Sequence, residues 1–107
     1  MIYLAAPYSN NDRKVRLARF DTINKTASNL ISQGEMIFSP ISHSHPIAEA
    51  GHLPLDFEFW SKYDQWFLDR VDSITVLKLP GWLESSGVQR EIEIMERLKK
   101  PVSYIEI

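Results

Sequence analysis

The chain has 107 residues, of which 44% are hydrophobic and 24% charged, with a formal net charge of −2 and no cysteine. This length predicts one domain over residues 1–107, and the charge gives no general electrostatic reason to bind a nucleic acid polymer. The lack of cysteine excludes disulfides and thiol chemistry. No apolar run approaches the ~18 residues of a membrane span, and the N-terminus lacks a signal-peptide pattern. These features predict a cytoplasmic protein with no membrane partner.

The first predicted strand runs from Met1 to Ala6 and ends at Pro7. A strand that starts so close to the terminus is usually central and buried, and a polar loop from Tyr8 to Asp12 follows it. Asn11 or Asp12 is the expected cap of the next helix. The loop lies at the carboxyl end of the strand, where open parallel sheets bind ligands. Tyr8 and Ser9 are therefore candidate binding residues.

A long crossover helix is predicted from Arg13 to Gln33, because apolar residues recur there at helical spacing, and Gly34 is its expected C-terminal cap. Four basic residues at its start oppose the helix dipole. They form either a solvated face or a phosphate-facing cluster at the rim of a site; they are Arg13, Lys14, Arg16 and Arg19.

A second strand is predicted from Glu35 to Pro40, followed by a loop that covers the ligand. His43 and His45 lie in this loop, with His52 further on. A zinc site is not expected, since His-x-His supplies only two close ligands and cysteine is absent. No metal or other cofactor is predicted, and His43 and His45 are instead candidate substrate-binding residues.

The next predicted helix is capped by Asp56 and carries five aromatic residues at core-compatible positions. Five aromatics exceed what one helix face needs, so part of this surface is expected to meet the ligand or a second subunit. The alternative is a well-packed core helix. Asp64, in the same helix, is either a surface or helix-end hydrogen-bonding residue or part of a site.

A third strand, Ile74 to Leu79, breaks at Pro80 and leads through a polar loop to a helix that starts near Ser86. Ser86 with Gln89 forms a capping-box pattern, and the free N–H groups there would favour an anion. Glu91 falls inside the apolar stripe of this helix, where a carboxyl is costly unless it is paired or used. The alternative is that Glu91 caps its own helix or pairs with an arginine. A last strand follows Pro101.

Two segments resemble the nucleoside 2-deoxyribosyltransferase superfamily, in particular its branch of 2′-deoxynucleoside 5′-monophosphate N-glycosidases. They are the strand and loop from Asp72 onward with its motif Ser85-x-Gly87-Val88-x-x-Glu91, and the opening run from Ile2 to Pro7. The resemblance implies that Glu91 is the nucleophile that attacks the anomeric carbon of the sugar. It also implies that Tyr3 orients this nucleophile or touches the sugar, although a half-buried strand tyrosine is an equally good interpretation.

The resemblance extends to the run from Tyr63 to Asp72, which makes Asp64 the candidate acid or base acting on the nucleobase or sugar hydroxyl. It implies that Ser85, Ser86 and the Gly87 amide hold a 5′-phosphate or hydroxyl. The implied activity is cleavage or transfer at the N-glycosidic bond of a nucleoside or its 5′-monophosphate. Two alternatives remain: a non-catalytic nucleotide-sensing module, and a phosphoribohydrolase-like enzyme acting on ribonucleotides or NAD.

The elements alternate as β-α-β-α-β-α-β, which predicts a doubly wound, flavodoxin- or Rossmann-like α/β fold. Its four-stranded parallel sheet is expected in the order 2-1-3-4, with helices on both faces. Strands one and three then meet at the switch point, where the candidate residues converge. Family members commonly carry a C-terminal segment that completes a neighbour's site, so the resemblance implies a homodimer or higher homo-oligomer. The roles of Trp82 and Leu83 are open: a lid over the base, or an oligomer contact.

Overall fold

A computed structural model describes all residues, 1–107, and contains four strands and four helices. In chain order these are β1 (Ile2–Ala5), α1 (Arg13–Ser32), β2 (Ile37–Phe38), α2 (Pro40–Gly51), α3 (Phe57–Leu68), β3 (Ser73–Leu77), α4 (Ser86–Arg97) and β4 (Val102–Ile105).

The four strands form one parallel sheet in the order β2-β1-β3-β4, as the sequence predicted. The register pairs Tyr3 of β1 with Phe38 of β2 on one side and with Ile74 of β3 on the other. On the far side of β3, Ile74 pairs with Val102 of β4. Strands β1 and β3 are thus adjacent and central, and their carboxyl ends lie side by side.

The core is divided by the sheet into two clusters, which explains the near-continuous apolar sequence of the central strands. One cluster joins alternate residues of β1 and β3 to α3 and α4, and includes Tyr3, Val76 and Met95. The other joins the opposite faces of the same strands to α1, and includes Leu4 and Ile23. Helices α1 and α2 pack together, as do α3 and α4. Helices therefore cover both faces of the sheet, as predicted.

Both ends of α1 follow the sequence expectation. Asp12 is the N-cap, and its side chain accepts a hydrogen bond of 2.9 Å from the Lys14 amide. At the other end Gly34 adopts φ 94°, and its amide donates to the carbonyl of Ile31 while the Glu35 amide donates to Leu30. These two bonds form the Schellman motif that glycine favours.

The main difference from the sequence prediction lies after β2, which has only two residues. The predicted loop over residues 41–46 is wrong: this segment belongs to α2, which begins at Pro40 and continues through Pro46 to Gly51. Proline is well suited to a first helical turn, but an interior proline removes a backbone donor and normally signals a break. Here the helix tolerates it and ends at Gly51, and the C-cap residue His52 is left-handed with φ 53°.

Asp72 has a structural role, since its carboxylate forms an ion pair of 2.6 Å with the N-terminal ammonium and links the start of β1 to the start of β3. None of the four helices is both long enough and apolar enough to cross a membrane.

Candidate functional site

A pocket of about 460 Å³ opens at the carboxyl ends of β1 and β3. The loop after β1, the loop after β3 and the first turn of α4 form its floor and one wall, while α2 and α3 form the other walls. This is the crevice at which the strand order reverses, where α/β sheets of this type bind ligands. The chain order of the elements thus determines which side chains meet there.

Glu91 lies at the inner end of this pocket, on the second turn of α4, and is only 6% exposed. The Tyr3 hydroxyl, from β1, donates a hydrogen bond to Glu91 Oε2. Burial raises the pKa of Glu91 to about 8, with the nearby Asp64 carboxyl adding to the increase and the Tyr3 hydrogen bond opposing it. Tyr3 is fully buried, and this burial holds its own pKa well above the usual range, so it acts as a neutral donor.

Asp64 reaches the same region from α3 and is also buried. Its desolvation raises the pKa of the carboxyl to about 7, and the neighbouring Tyr3 hydroxyl opposes this increase. Asp64 Oδ1 is buried and has no hydrogen-bond partner. Two carboxyls with raised pKa values therefore flank one tyrosine at the inner end of the pocket, an arrangement typical of acid–base sites.

The first turn of α4 forms the wall next to Glu91. Ser85, not Ser86 as predicted from the capping-box pattern, is the N-cap, and its hydroxyl accepts a 3.2 Å hydrogen bond from the Val88 amide. The predicted partner Gln89 instead sends its side-chain amide to the Trp82 carbonyl at 3.2 Å. Ser86 is consequently exposed to the pocket, where its hydroxyl and the first amides of the helix are available to a ligand.

A second polar group lies on the wall made by α2. The Tyr8 hydroxyl forms a hydrogen bond with Nδ1 of His45. Nε2 of His45 lies 3.8 Å from the Glu49 carboxylate, and this carboxylate forms a 2.6 Å ion pair with Arg13. Burial lowers the pKa of His45. A neutral His45 with its proton on Nε2, toward Glu49, accepts a hydrogen bond from the Tyr8 hydroxyl at Nδ1. Tyr8 and His45 both line the pocket.

One arginine of the basic start of α1 joins the two loops of the site. Arg19 donates to the carbonyl of Ser9, in the loop after β1, and to the carbonyl of Pro80, in the loop after β3, each at 3.1 Å. Gly81 follows with φ 95°, and a Cβ there would lie 2.8 Å from Nη2 of Arg19. We call the two hydrogen bonds from Arg19 to the Ser9 and Pro80 carbonyls the guanidinium bridge. Arg13 and Arg16 bond instead to Glu49 and to loop carbonyls.

A family model described as a domain of unknown function, DUF1937, matches residues 1–107. The chain belongs to the DUF1937 family. A comparison with curated proteins finds no match.

In this DUF1937 chain, most of the residues singled out from sequence converge on the pocket: Tyr8, Ser9, His45, Asp64, Ser85, Ser86, Gly87 and Glu91 line it. Tyr3 does not line it, but lies beneath Glu91 and orients that carboxyl.

His43, unlike the other predicted substrate-binding residues, does not line the pocket. It is exposed, stacks on Tyr63 with ring centroids 5.5 Å apart, and bonds to the Tyr63 hydroxyl at 2.6 Å. His43 and His45 are two residues apart on a helix and therefore project in different directions, which a loop interpretation could not reveal. No three histidine or acidic side chains converge in a geometry that would hold a metal ion.

The structure also adds pocket residues that the sequence interpretation had not placed there, notably Asp56, Phe57 and Glu84. Asp56 precedes α3 as predicted, but its side chain makes no capping hydrogen bond. Trp82 does not line the pocket, and its ring packs against Tyr104 with centroids 5.6 Å apart. Asp56 and Glu84 form an acidic rim of the pocket, although the sequence pattern had indicated only a helix cap for Asp56 and no role for Glu84.

Proposed function

We propose that this DUF1937 protein cleaves the N-glycosidic bond of a nucleoside or its 5′-monophosphate, with Glu91 as nucleophile. The observation that carries the proposal is the Glu91 carboxyl itself, buried at the inner end of the pocket and oriented by Tyr3. A buried carboxyl on an otherwise apolar helix stripe is costly, and is retained where it is paired or used. The pocket volume of about 460 Å³ is in the range of small-molecule sites.

The proposed chemistry has two steps. The Glu91 carboxylate attacks C1′ as the C1′–N bond breaks, and the bond's electron pair goes to the base, which takes a proton from the Asp64 carboxyl. Water then attacks C1′ and gives its proton to the Asp64 carboxylate, while the C1′–O bond to Glu91 breaks and restores the carboxylate. This is the retaining sequence of glycoside hydrolysis, in which a carboxylate traps an oxocarbenium-like sugar. A second base in place of water gives transfer.

The electrostatics of the site set a condition on these roles, because the pKa of Glu91 lies above that of Asp64 and Glu91 must lose its proton before it attacks. Burial raises the pKa of Asp64 to about 7, so near neutral pH this group exchanges a proton readily, as a general acid and base must. Burial raises the pKa of Glu91 to about 8, so the carboxylate is destabilised in the empty pocket and gains from positive charge developing on the sugar. The Tyr3 hydrogen bond keeps Glu91 in one orientation for attack.

The α4 first turn is the proposed site for the 5′ end of the substrate. The Ser85 hydroxyl is partly used by the Val88 amide, which leaves Ser86 and the amides of Ser86 and Gly87 to bind a 5′-hydroxyl or phosphate. Ser9 and Tyr8, on the facing loop, and His45 are the proposed contacts to the rest of the ligand.

The test is release of free base, followed by chromatography, from a panel of nucleosides, their 5′-monophosphates and NAD, with and without an added second base. We expect release by the parent and a loss of at least 1,000-fold in Glu91→Gln, which removes the nucleophile while keeping its shape. Glu93→Gln is the matched control, because Glu93 is an exposed glutamate on the same helix and should retain parental rates.

The outcomes separate the alternatives. Normal base release by Glu91→Gln would contradict the mechanism. Nucleotide binding without base release from any panel member would favour a sensing module, and a preference for ribonucleotides or NAD would favour a phosphoribohydrolase-like enzyme. Products formed only with the second base would identify a transferase.

We also propose that the protein is cytoplasmic and forms a homodimer or higher homo-oligomer through the outer face of α3. Phe59, Tyr63 and Trp66 on this helix are 48%, 41% and 53% exposed, an unusual concentration of aromatic surface. Light scattering after size-exclusion chromatography should give a multiple of 12.4 kDa, and Trp66→Glu should give the monomer. A parental protein that is monomeric at micromolar concentration would exclude this assembly.

A further inference from the structure

The pocket carries more negative charge than positive charge. Four carboxyl groups line it, two at the rim and two at the inner end, against one guanidinium; the carboxyls belong to Asp56, Glu84, Asp64 and Glu91, and the guanidinium to Arg19. Arg19 also already donates to two backbone carbonyls through the guanidinium bridge. Even when the two inner carboxyls hold their protons, the two rim carboxylates outnumber the one guanidinium, so the field in the pocket favours a ligand with positive charge.

The two rim carboxylates have no partner within the protein. Asp56 occupies the N-cap position of α3 without making the usual capping hydrogen bond, and neither Asp56 nor Glu84 belongs to any of the ion pairs. Both residues are exposed. A carboxylate that neither caps a helix nor pairs with a basic side chain has its negative charge available to attract a ligand that enters the pocket past it.

A separate observation at the inner end of the pocket points the same way. Asp64 is only 9% exposed and lines the pocket, yet its Oδ1 is buried without a hydrogen-bond partner. A buried polar atom without a partner is rare and costly, and a ligand that brings a donor or a positive charge next to it would remove the cost.

Aromatic rings lie between the rim and the inner end. Phe57 packs over the first turn of α4, where a Cβ at Gly87 would lie 3.3 Å from the ring. Trp60 also lines the pocket, and its indole is fixed by a 2.9 Å hydrogen bond to the Pro54 carbonyl. Aromatic faces combined with carboxylates are the chemistry that recognises organic cations.

We propose that the preferred substrate is a nucleoside or nucleotide whose base carries a positive charge, bound at Phe57 and Trp60 and attracted by Asp56 and Glu84. This inference rests on the proposed function and concerns the base, not the 5′ end. A cationic base suits the chemistry, because the electron pair of the breaking C1′–N bond neutralises the base and no proton is needed for its departure. The positive charge is at the same time transferred toward C1′, beside Glu91 and Asp64.

The test compares two ligands of nearly the same shape, nicotinamide riboside, whose pyridinium is permanently cationic, and its neutral dihydro form. Dissociation constants are measured by calorimetry on the full-length Glu91→Gln protein, so that neither ligand is consumed. We expect the cationic ligand to bind at least tenfold more tightly. Each rim carboxylate contributes about threefold, from one unit charge on the order of 7 Å away in water.

The rim carboxylates are then removed in the same background. Asp56→Asn and Glu84→Gln should each lower the ratio of the two dissociation constants about threefold, and together about tenfold. Glu58→Gln is the matched control, because it removes the same charge from the first turn of α3 without lining the pocket. Its ratio should be within a factor of about 1.5 of the parent's, since it lies farther from the ligand in water.

A ratio below threefold, or a ratio that survives the loss of both rim carboxylates, would overturn the inference, as would no binding of either ligand. The result is independent of the base-release experiment. Glu91-dependent release from neutral nucleosides with no preference for charge would leave the proposed function standing and remove this inference. Preference for the cation without any base release would remove the proposed function and leave a binding site for cationic nucleosides.

Discussion

Replacing Tyr3 with phenylalanine isolates the contribution of one hydroxyl to the site. The ring is fully buried in the core beneath α4, and its hydroxyl donates to Glu91 Oε2. Phenylalanine keeps the apolar contacts of the ring, including the 6.0 Å ring contact with Phe38, and removes only the donor. We therefore expect a folded variant with an altered Glu91 carboxyl.

The magnitude follows from the hydrogen bond that is lost. A hydrogen bond to an ionised group contributes about 1.5 to 3 kcal/mol, and each 1.36 kcal/mol corresponds to about one pKa unit. The pKa of Glu91 is about 8, with the Tyr3 hydroxyl opposing the increase caused by burial. Without that hydroxyl the pKa of Glu91 should rise by a further one to two units, approximately. At pH 8 the ionised fraction would fall from about one half to below about one tenth.

Two measurements check this. Carbon NMR of protein labelled at glutamate Cδ follows the ionisation of Glu91 directly, without substrate. For a nucleoside with a cationic base, which needs no proton from Asp64, the pH dependence of kcat/KM for base release reports the ionisation of Glu91 in the free enzyme, and its rising limb should move to higher pH by the same amount. The rate of Tyr3→Phe should fall between about 5-fold and 50-fold at pH 8 and recover above pH 9.

An unchanged Glu91 titration in Tyr3→Phe, or a loss of rate that is equal at every pH, would contradict an action of Tyr3 through Glu91. The second result would mean that Tyr3 acts on the substrate and not through Glu91. Tyr104→Phe is the matched control, because Tyr104 lies on β4 against Trp82, away from the pocket. It should leave both measurements unchanged.

Three further predictions test the surroundings of the site. Ser85→Ala should lower the free energy of unfolding in urea by about 1 kcal/mol through loss of the N-cap, while Ser86→Ala should change it little and weaken ligand binding instead. Gly81→Ala and Gly34→Ala each place alanine at φ near 95°, which should lower the free energy of unfolding by about 1 kcal/mol. Only Gly81→Ala should also weaken ligand binding, because its Cβ meets the guanidinium bridge. Equal ligand binding by both variants would exclude a role for this bridge in shaping the site. Since burial raises the pKa of Glu91 from its unfolded value of 4.5 to about 8, its contribution to stability is complete below pH 4.5 and is lost as pH rises through 8. Glu91→Gln should accordingly lose about 4 kcal/mol less stability than the parent between pH 5 and 9, and parallel curves of stability against pH would contradict the raised pKa.

The sheet was predictable because each central strand carries a clear signal. Runs such as Ile2 to Ala5 and Ile74 to Leu77 are short, apolar and followed by proline or polar loops, and alternation with helices leaves few topologies. The α2 helix was not predictable by the same rules. Pro46 and the serine and histidine residues around it have poor helix propensity, and only packing against α1 and the sheet overrides this preference.

The site was predictable where one residue contradicted its surroundings. A carboxyl inside an apolar helix stripe indicates a residue that is paired or used, and this identifies Glu91 from sequence. The strand order then places Glu91 near Tyr3. Asp64 depended on the family resemblance, since an aspartate in an aromatic helix has no local signal of burial. Ser85 and Ser86 are indistinguishable as caps from sequence, because helix ends cannot be assigned to one residue by pattern alone. Asp56 and Glu84 become rim residues only through the folding of their loops.

The raised pKa values and the acidic rim are two consequences of one arrangement. Burying Glu91 and Asp64 beside Tyr3 keeps the inner end of the pocket close to neutral when it is empty, because each carboxyl holds its proton more tightly than in water. A positive charge entering past Asp56 and Glu84 would lower both pKa values and ionise the pair in place. On the proposed function, the ligand itself then creates the nucleophile, and proton release on binding becomes a direct measure of that coupling. The carbocyclic analogue of a cationic nucleoside, which is bound but not cleaved and so yields no proton from turnover, should release close to one proton per site at pH 7.5, measured by calorimetry in buffers of different ionisation enthalpy, while its neutral counterpart should release about none.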